Sequence, residues 1–227
     1  MKHLLRTLNQ TIIQCRLCPR LVAYRESVSP RTSFKDETYW RKPIPGFGDP
    51  KAWLLLVGLA PAAHGGNRTG RIFTGDESGR FLFHNLYEVG FANQPNSDHR
   101  DDGLELTGCY ITAMVKCAPP QNKPLPQECR NCSQYLNSEL KLLPHLKAVI
   151  ALGKYAFDAF KIQAKQRGAN VSGMKFTHGA RYELPGLPTL YGCYHPSPQN
   201  TYTGIFTNDM FQELLETVKQ QSTQSLH

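Results

Sequence analysis

No long hydrophobic run interrupts this chain. Nowhere in its 227 residues does an apolar stretch approach the roughly 20 residues that a bilayer crossing needs. The amino end, MKHLLRTLNQTIIQC, is broken by Arg6, Asn9 and Gln10, and it lacks a secretory signal's continuous apolar segment and small-residue cleavage site. These absences set the expectation of a cytoplasmic protein in a reducing compartment with no membrane partner. Internal repeats are missing, which excludes repeat architectures. So is a G-x-x-x-x-G-K-[ST] phosphate loop, and there is no clear carboxylate set for two metals; both absences argue against a phosphate-ester hydrolase. Acid is scarce: 18 Asp and Glu stand against 26 Lys and Arg, a formal net charge of +8. The surplus suits an anionic partner, most commonly nucleic acid, although many basic proteins bind none.

What is present is a folded α/β chain. Forty per cent hydrophobic residues and this length suit one globular domain over residues 1–220, with the polar, Ser-rich residues 221–227 as a flexible tail. Apolar runs at 53–57, 110–115, 147–152 and 187–194 read as strands. Helical spacing marks residues 2–14, a second short helix to about 28, and 79–89, 126–143, 154–161 and 209–219. Strands alternating with helices predict a central parallel sheet of about four strands covered on both faces. Residues 29–50 are irregular and rich in proline and glycine. Their aromatics Phe34, Tyr39, Trp40 and Phe47 alternate with Arg31, Lys35, Arg41 and Lys42, which either track a nucleic-acid backbone or pin a long loop to the core.

The stretch 53–76, WLLLVGLAPAAHGGNRTGRIFTGD, organises the rest. A buried strand opens into a loop carrying Gly58, Gly65, Gly66, Gly70 and Gly75. Such a loop at the carboxyl end of a parallel strand is where open α/β sheets place ligands, and glycine lets the backbone approach them closely. Four residues around this loop have two readings each. Phe73 is core or a stacking surface for a flat ligand. Asp76 is a helix cap or a water-orienting carboxylate. Asn122 is a turn residue or an amide that reads a base edge. His195, held between Tyr194 and two prolines, is structural or a donor to developing negative charge.

Seven cysteines fall at 15, 18, 109, 117, 129, 132 and 193. Two close pairs in a reducing compartment argue for a metal or an iron–sulfur cluster over disulfides. Thiolates suit zinc and iron–sulfur alike, and either Cys129 or Cys132 can complete the set by spacing. Reduced thiols with no metal are the bland alternative. Cys109 and Cys193 lie in strand-like runs and read as small buried hydrophobes.

The motifs GLAPAAHG (58–65), NRTGRIFTGDESG (67–79), KCAPPQN (116–122) and HPSPQNTYTG (195–204), with Cys15-x-x-Cys18, resemble the uracil-DNA glycosylase superfamily, and family 5 in particular. The similarity spans about residues 12–217. It implies a three-layer glycosylase sandwich, and a structural 4Fe–4S cluster on Cys15, Cys18, Cys117 and Cys132. It further implies a pocket lined by the backbone of Gly58, Ala60 and Ala62, with Phe73 stacking on an extruded base, Asn122 on the base edge and His195 beside its carbonyl. Family members with strong uracil preference carry Asp, Asn or Glu early in the first motif. Leu59, Ala60 and Ala62 stand there instead, which leaves Asp76 as the nearest water-orienting candidate. The implied activity is hydrolysis of the N-glycosidic bond of uracil, or of other deaminated or damaged bases, in DNA, by a monomeric cytoplasmic or nucleoid repair enzyme without lyase activity. Arg68, Arg71 and Arg80 are candidate phosphate contacts, and the loop 199–203 a candidate wedge for the gap a flipped base leaves. The rival reading is a non-enzymatic nucleic-acid-binding protein with a structural four-cysteine metal site.

Overall fold

A computed structural model describes residues 2–224. Its centre is a six-stranded sheet built from β1 (Phe47–Gly48), β2 (Leu54–Gly58), β3 (Cys109–Ala113), β4 (Ala148–Leu152), β5 (Arg181–Tyr182) and β6 (Thr189–Cys193), in the order β1-β3-β2-β4-β6-β5. The four inner strands β3, β2, β4 and β6 are parallel. Their sequences, such as LLLVG and AVIAL, are unbroken apolar runs because both faces of a parallel sheet are covered. The outer strands β1 and β5 are antiparallel and two residues long. They extend the expected parallel sheet at each edge. Pairing with β3 and β6 creates them, since neither carries an apolar pattern of its own, and such short edges resist pairing with another chain.

Helices α1 (Lys2–Ile13), α2 (Pro19–Ser27), α3 (Gly66–Thr69), α4 (Glu77–Glu88), α5 (Pro126–Leu142), α6 (Lys154–Gln166), α7 (Pro198–Tyr202) and α8 (Asn208–Gln224) surround the sheet. Alternation along each strand divides the core. Leu54, Leu56, Ile111 and Ile150 face Leu82, Phe83 and Leu86 of α4 and Phe211, Leu215 and Val218 of α8. Leu55, Val57, Val149 and Leu190 face Leu136 of α5 and Phe157 and Phe160 of α6, with Leu5 of α1 at the margin. Burying a Leu or Phe side chain fully is worth about 1.5–3 kcal/mol, so these two layers hold the sheet in place. Cys109 and Cys193 are buried within the first layer, as small hydrophobes.

Two helices run further than periodicity suggests. α6 continues to Gln166 because Gln163 and Ala164 are buried. α8 continues to Gln224, through residues assigned to a tail. Its last turns are tied down by Tyr191 Oη donating to Gln221 Oε1 (2.7 Å) and Lys147 Nζ donating to the Ser222 carbonyl (2.8 Å). Residues 225–227, the rest of that expected tail, lie outside the described residues.

The irregular residues 29–50 are pinned to the body by intramolecular cation–π contacts. The Arg68 guanidinium lies 3.9 Å from the Phe34 ring centroid, Arg71 4.9 Å from Phe47 and Arg100 4.6 Å from Trp40. Arg68 and Arg71 are thus committed inside the fold. Arg68 pairs with Glu37 (2.6 Å) and donates to the Gly75 carbonyl (2.7 Å); Arg71 forks onto Asp102 (2.6 and 2.8 Å) and donates to Ser97 Oγ (3.1 Å) and Thr74 Oγ1 (2.9 Å). As phosphate contacts they are corrected: buried donors already paired do not reach DNA. Arg80 alone of the three is exposed, beside Glu77 (2.7 Å).

Candidate active site

The four parallel strands end at one edge, and the candidate residues follow those ends. Past β2 and β3 the ladder continues: Met114 N–H donates to the Gly58 carbonyl and Val115 N–H to the Leu59 carbonyl, both at 2.9 Å. The Gly-rich loop and the proline-rich loop therefore leave the sheet side by side. Gly153, directly after β4, donates its N–H to the Cys193 carbonyl at 2.7 Å, and His195 follows two residues after β6.

Phe73 and His195 come together here. Their ring centroids are 6.2 Å apart, tilted by 40°. Three glycines make room. A Cβ on Gly58 would stand 3.0 Å from the Phe73 ring, one on Gly153 would stand 3.1 Å from His195 Cβ, and one on Gly79 would fall 1.9 Å from the Phe73 carbonyl oxygen. Phe73 itself has φ 51°, in the left-handed region that a bulky residue enters only when its surroundings force it. Ser97 Oγ donates to its carbonyl (3.3 Å) and couples to Thr74 Oγ1 (2.7 Å), so the Arg71–Asp102 pair supports the turn from below. The Phe73 side chain is buried as part of the core cluster that includes Leu54, Leu56 and Leu82.

His195 is fixed by its own backbone: its carbonyl accepts from Ser197 N–H (2.8 Å) and from Asn200 Nδ2 (2.9 Å). Burial pushes its pKa down to about 4. The imidazole is neutral at pH 7, with one N–H to donate.

Asp76 caps α4. Its Oδ1 accepts from Gly79 N–H at 2.9 Å, and its second oxygen presses on Gly65, where a Cβ would lie 1.9 Å away. Desolvation raises its pKa, against the Gly79 N–H and the charge of Arg68, which favour the carboxylate. The cap uses one oxygen and leaves the other directed at the Gly-rich loop. Ala60 and Ala62 are half-buried in that loop. Ala60 packs against the cysteine lobe, and the Ala62 carbonyl accepts from Asn67 N–H (3.1 Å).

Asn122 ends the 3-10 turn Pro120–Asn122 with φ 56°, exposed, its backbone N–H donating to the Pro119 carbonyl at 3.2 Å. Its loop springs from the same sheet edge, and its side-chain amide makes no hydrogen bond to the other described residues.

The cysteines form a second centre on the amino-terminal side. Cys15 and Cys18 from the α1–α2 turn, Cys117 from the loop after β3, and Cys132 from α5 line one cavity with Arg25 and Lys116. Cys129 does not line it. Three N–H donors point at three of the sulfurs: Arg25 Nη1 to Cys117 Sγ (3.0 Å), Asn131 Nδ2 to Cys18 Sγ (3.4 Å) and the Lys116 backbone N–H to Cys132 Sγ (3.5 Å). Burial pushes the Cys117 thiol up to about 11 and the Cys132 thiol up to about 12, so thiolates here require positive charge among them. Among the described residues, no three His, Cys, Asp or Glu side chains gather tightly enough for a single metal ion.

A family profile described as "Uracil DNA glycosylase superfamily" matches residues 45–219. The chain belongs to this superfamily. It is 52% identical over 211 residues to a type-5 uracil-DNA glycosylase of Thermus thermophilus, covering 92% of this chain and 94% of the relative. It is 46% identical over 204 residues to a type-5 enzyme of Pyrobaculum aerophilum (90% and 87%) and 46% identical over 218 residues to one of Mycobacterium bovis (93% and 80%).

Within this glycosylase fold, several supporting residues escape a motif-based reading. Gly153 makes room for His195. Asn67, almost fully buried, joins the Gly-rich loop to α2 through Nδ2 donating to the Arg25 carbonyl (3.2 Å). Lys116 and Glu139 form an ion pair (2.8 Å) with both side chains essentially inaccessible, shared with Thr112 Oγ1. A basic residue beside a cysteine motif and a glutamate mid-helix carry no signal of burial; only their meeting across the α5–sheet interface does.

Proposed function

We propose that this chain is a monofunctional uracil-DNA glycosylase, hydrolysing the N-glycosidic bond of uracil in DNA and leaving an abasic site. The observation that carries the reading is the Phe73 ring, on the loop after β2, set against the His195 imidazole, just past β6, with Gly58 and Gly153 clearing the approach. A base within a duplex is out of reach, so it is flipped into this site at a cost of a few kcal/mol, which phosphate contacts from the basic surface offset. Phe73 stacks on the flipped base. As the bond breaks, the sugar gains oxocarbenium character and the base departs as an anion. His195, neutral and fixed, donates its N–H to the charge developing on the base carbonyl, an interaction stronger in the transition state than in the ground state. Asn122 meets the base edge from its exposed turn, and backbone groups of the Gly58–Ala62 segment line the floor. Asp76 orients the attacking water with the oxygen its cap leaves over. No side chain is needed as a covalent nucleophile, hence no lyase step.

Cys15, Cys18, Cys117 and Cys132 hold a 4Fe–4S cluster in this reading. Supporting it are the shared cavity and the three N–H donors aimed at sulfur, the surroundings that thiolate ligands of such clusters require. A single zinc ion with Zn–S bonds of about 2.3 Å needs a tighter group of thiols. When bound, the cluster ties α1 and α2 to the loop after β3. The protein works as a cytoplasmic monomer, and its substrate range extends from uracil to other deaminated bases.

Incubation with a uracil-containing duplex in the presence of chelator tests the activity. Free uracil and an intact, alkali-labile strand are expected; a directly cut strand, or no base release, would refute it. Duplexes bearing hypoxanthine or xanthine, tried on the wild type and Asp76→Ala, define the range and the role of Asp76. Broad absorbance near ~400 nm with bound iron and sulfide checks the cluster; colourless, iron-free protein counts against it.

A further inference from the structure

Arg25 is among the most deeply buried side chains in the protein, 2% exposed. A buried guanidinium normally sits against a carboxylate, because an unpaired charge in the interior is very costly. Among the described residues, no buried carboxylate meets this one. Its carboxylate neighbour, Glu26 at 3.7 Å, lies at the surface and already chelates Arg16 at 2.6 and 3.2 Å. The guanidinium instead aims inward. Nη1 donates to Cys117 Sγ at 3.0 Å, Nη2 to the Cys15 carbonyl at 3.3 Å, and Nε is buried without a partner. The cation is therefore placed against two of the four cysteine positions, on the wall of the cavity they line.

We infer that Arg25 is the charge partner of the cysteine centre: its fork spans Cys117 and Cys15, Nη1 donating to the Cys117 thiolate and Nη2 to the Cys15 carbonyl, and its positive charge balances the anionic, thiolate-ligated cluster. The inference rests on the cluster reading above. Hydrogen bonds to ligand sulfur and nearby positive charge both withdraw electron density from an iron–sulfur centre, and both favour its reduced form, so Arg25 raises the reduction potential as well as retaining the iron. Asn131 and the Lys116 N–H are neutral donors to other sulfurs. Arg25 adds a full charge, which makes it the residue whose loss the centre feels most among the three.

The test uses the full-length, iron-loaded protein and the variants Arg25→Gln, Arg25→Lys and Asn131→Ala. The readouts are iron content, decay of the ~400 nm absorbance in chelator, and reduction potential by dye-mediated titration. Arg25→Gln is expected to release iron about 10- to 100-fold faster, the usual cost of removing an outer-shell partner, with a more negative potential. Arg25→Lys, which keeps the charge and loses the fork, falls between Arg25→Gln and wild type, and Asn131→Ala shows a smaller change than Arg25→Gln. Iron-bearing wild type with Arg25→Gln unchanged in both release and potential overturns the inference. If Arg25→Gln does not fold, as judged by circular dichroism, Arg25→Lys decides: wild-type release and potential there overturn the role of the fork. Iron-free wild type fails the cluster reading itself, a distinct result.

Discussion

The Phe73–His195 site and the cysteine centre are built on opposite principles. At the pocket the polypeptide does all the holding. Phe73 is forced into a left-handed turn, with its carbonyl pressed on Gly79 and bonded by Ser97; Asp76 is locked by its cap; His195 is fixed through Ser197 and Asn200. At the cysteine centre the apolar part is small. Ile12, Leu21, Val115 and Tyr135, with Leu8 and Ala60 beside them, form a compact cluster, joined by sulfur, N–H donors and a buried arginine. The first is preorganised and strained, as expected where geometry must not adjust during reaction. The second gathers four thiols and their N–H donors around one cavity, and on the proposed cluster reading its cohesion depends on what those thiols bind.

The sharpest way to break the comparison is at its joint, the Lys116–Glu139 pair. Lys116→Met leaves Glu139 buried and unpaired, so a loss of about 3–5 kcal/mol is expected in denaturant unfolding. The double replacement Lys116→Met with Glu139→Leu should recover much of it; equal damage in single and double variants would mean the pair is not what holds that interface. His195→Ala comes next. A drop of about 10² to 10³ in single-turnover uracil release, about 2.7–4 kcal/mol, is expected with a much smaller change in unfolding midpoint. Loss of stability as large as the loss of rate would place His195 with the framework. Gly65→Ala drives a methyl into Asp76 and misplaces it, lowering the rate by up to about 10²-fold while leaving iron content unchanged. If Gly65→Ala matches wild type in rate, Asp76 has no part in the chemistry.

The last test is in pH. The folded state holds His195 at about 4, below its value of about 6.5 in the unfolded chain. Between those values the unfolded state binds the extra proton, so this residue's contribution is fully present above about pH 6.5 and is lost as pH falls toward 4. Wild type should therefore lose more stability than His195→Asn between pH 7 and 4, read as urea midpoints. Parallel decline would show that the imidazole is not held neutral. On the proposed role of Asp76, activity is expected to carry a separate acid limb, since its raised pKa brings protonation at a higher pH than for an ordinary aspartate; Asp76→Asn should remove that limb.

Much of the fold was legible because the inner strands are buried on both faces and so read as plain apolar runs, and because α4 and α5 repeat their apolar residues at helical spacing. The pocket was legible in part. Glycine clusters at a strand end declare close approach, and Phe73 and His195 do meet there. The destination of a charged residue was not legible. Arg68 and Arg71 look like surface cations until Glu37 and Asp102, each 31 residues away, close on them. Asn122 shows the converse limit: its loop leaves the expected sheet edge, but the turn leaves the amide exposed. Between Cys129 and Cys132, spacing offered either. The packing of α5 distinguishes them: Cys132 is buried on the same helix face as Tyr135 and Leu136 and lines the shared cavity, while Cys129 stays half-buried.

The sequence alone determined the alternation of strands and helices, the Gly-rich turn after β2, and a supply of thiols gathered around two short segments. These are local properties, written in periodicity and in the conformations that glycine and proline permit. Tertiary structure decided which arginines are buried, which cysteine faces inward, that Gly153 must be bare beside His195, and that α8 runs to Gln224. Each of those depends on a partner far along the chain, and the free energy of burying a charge or a ring is set by the partner it meets rather than by its neighbours in sequence.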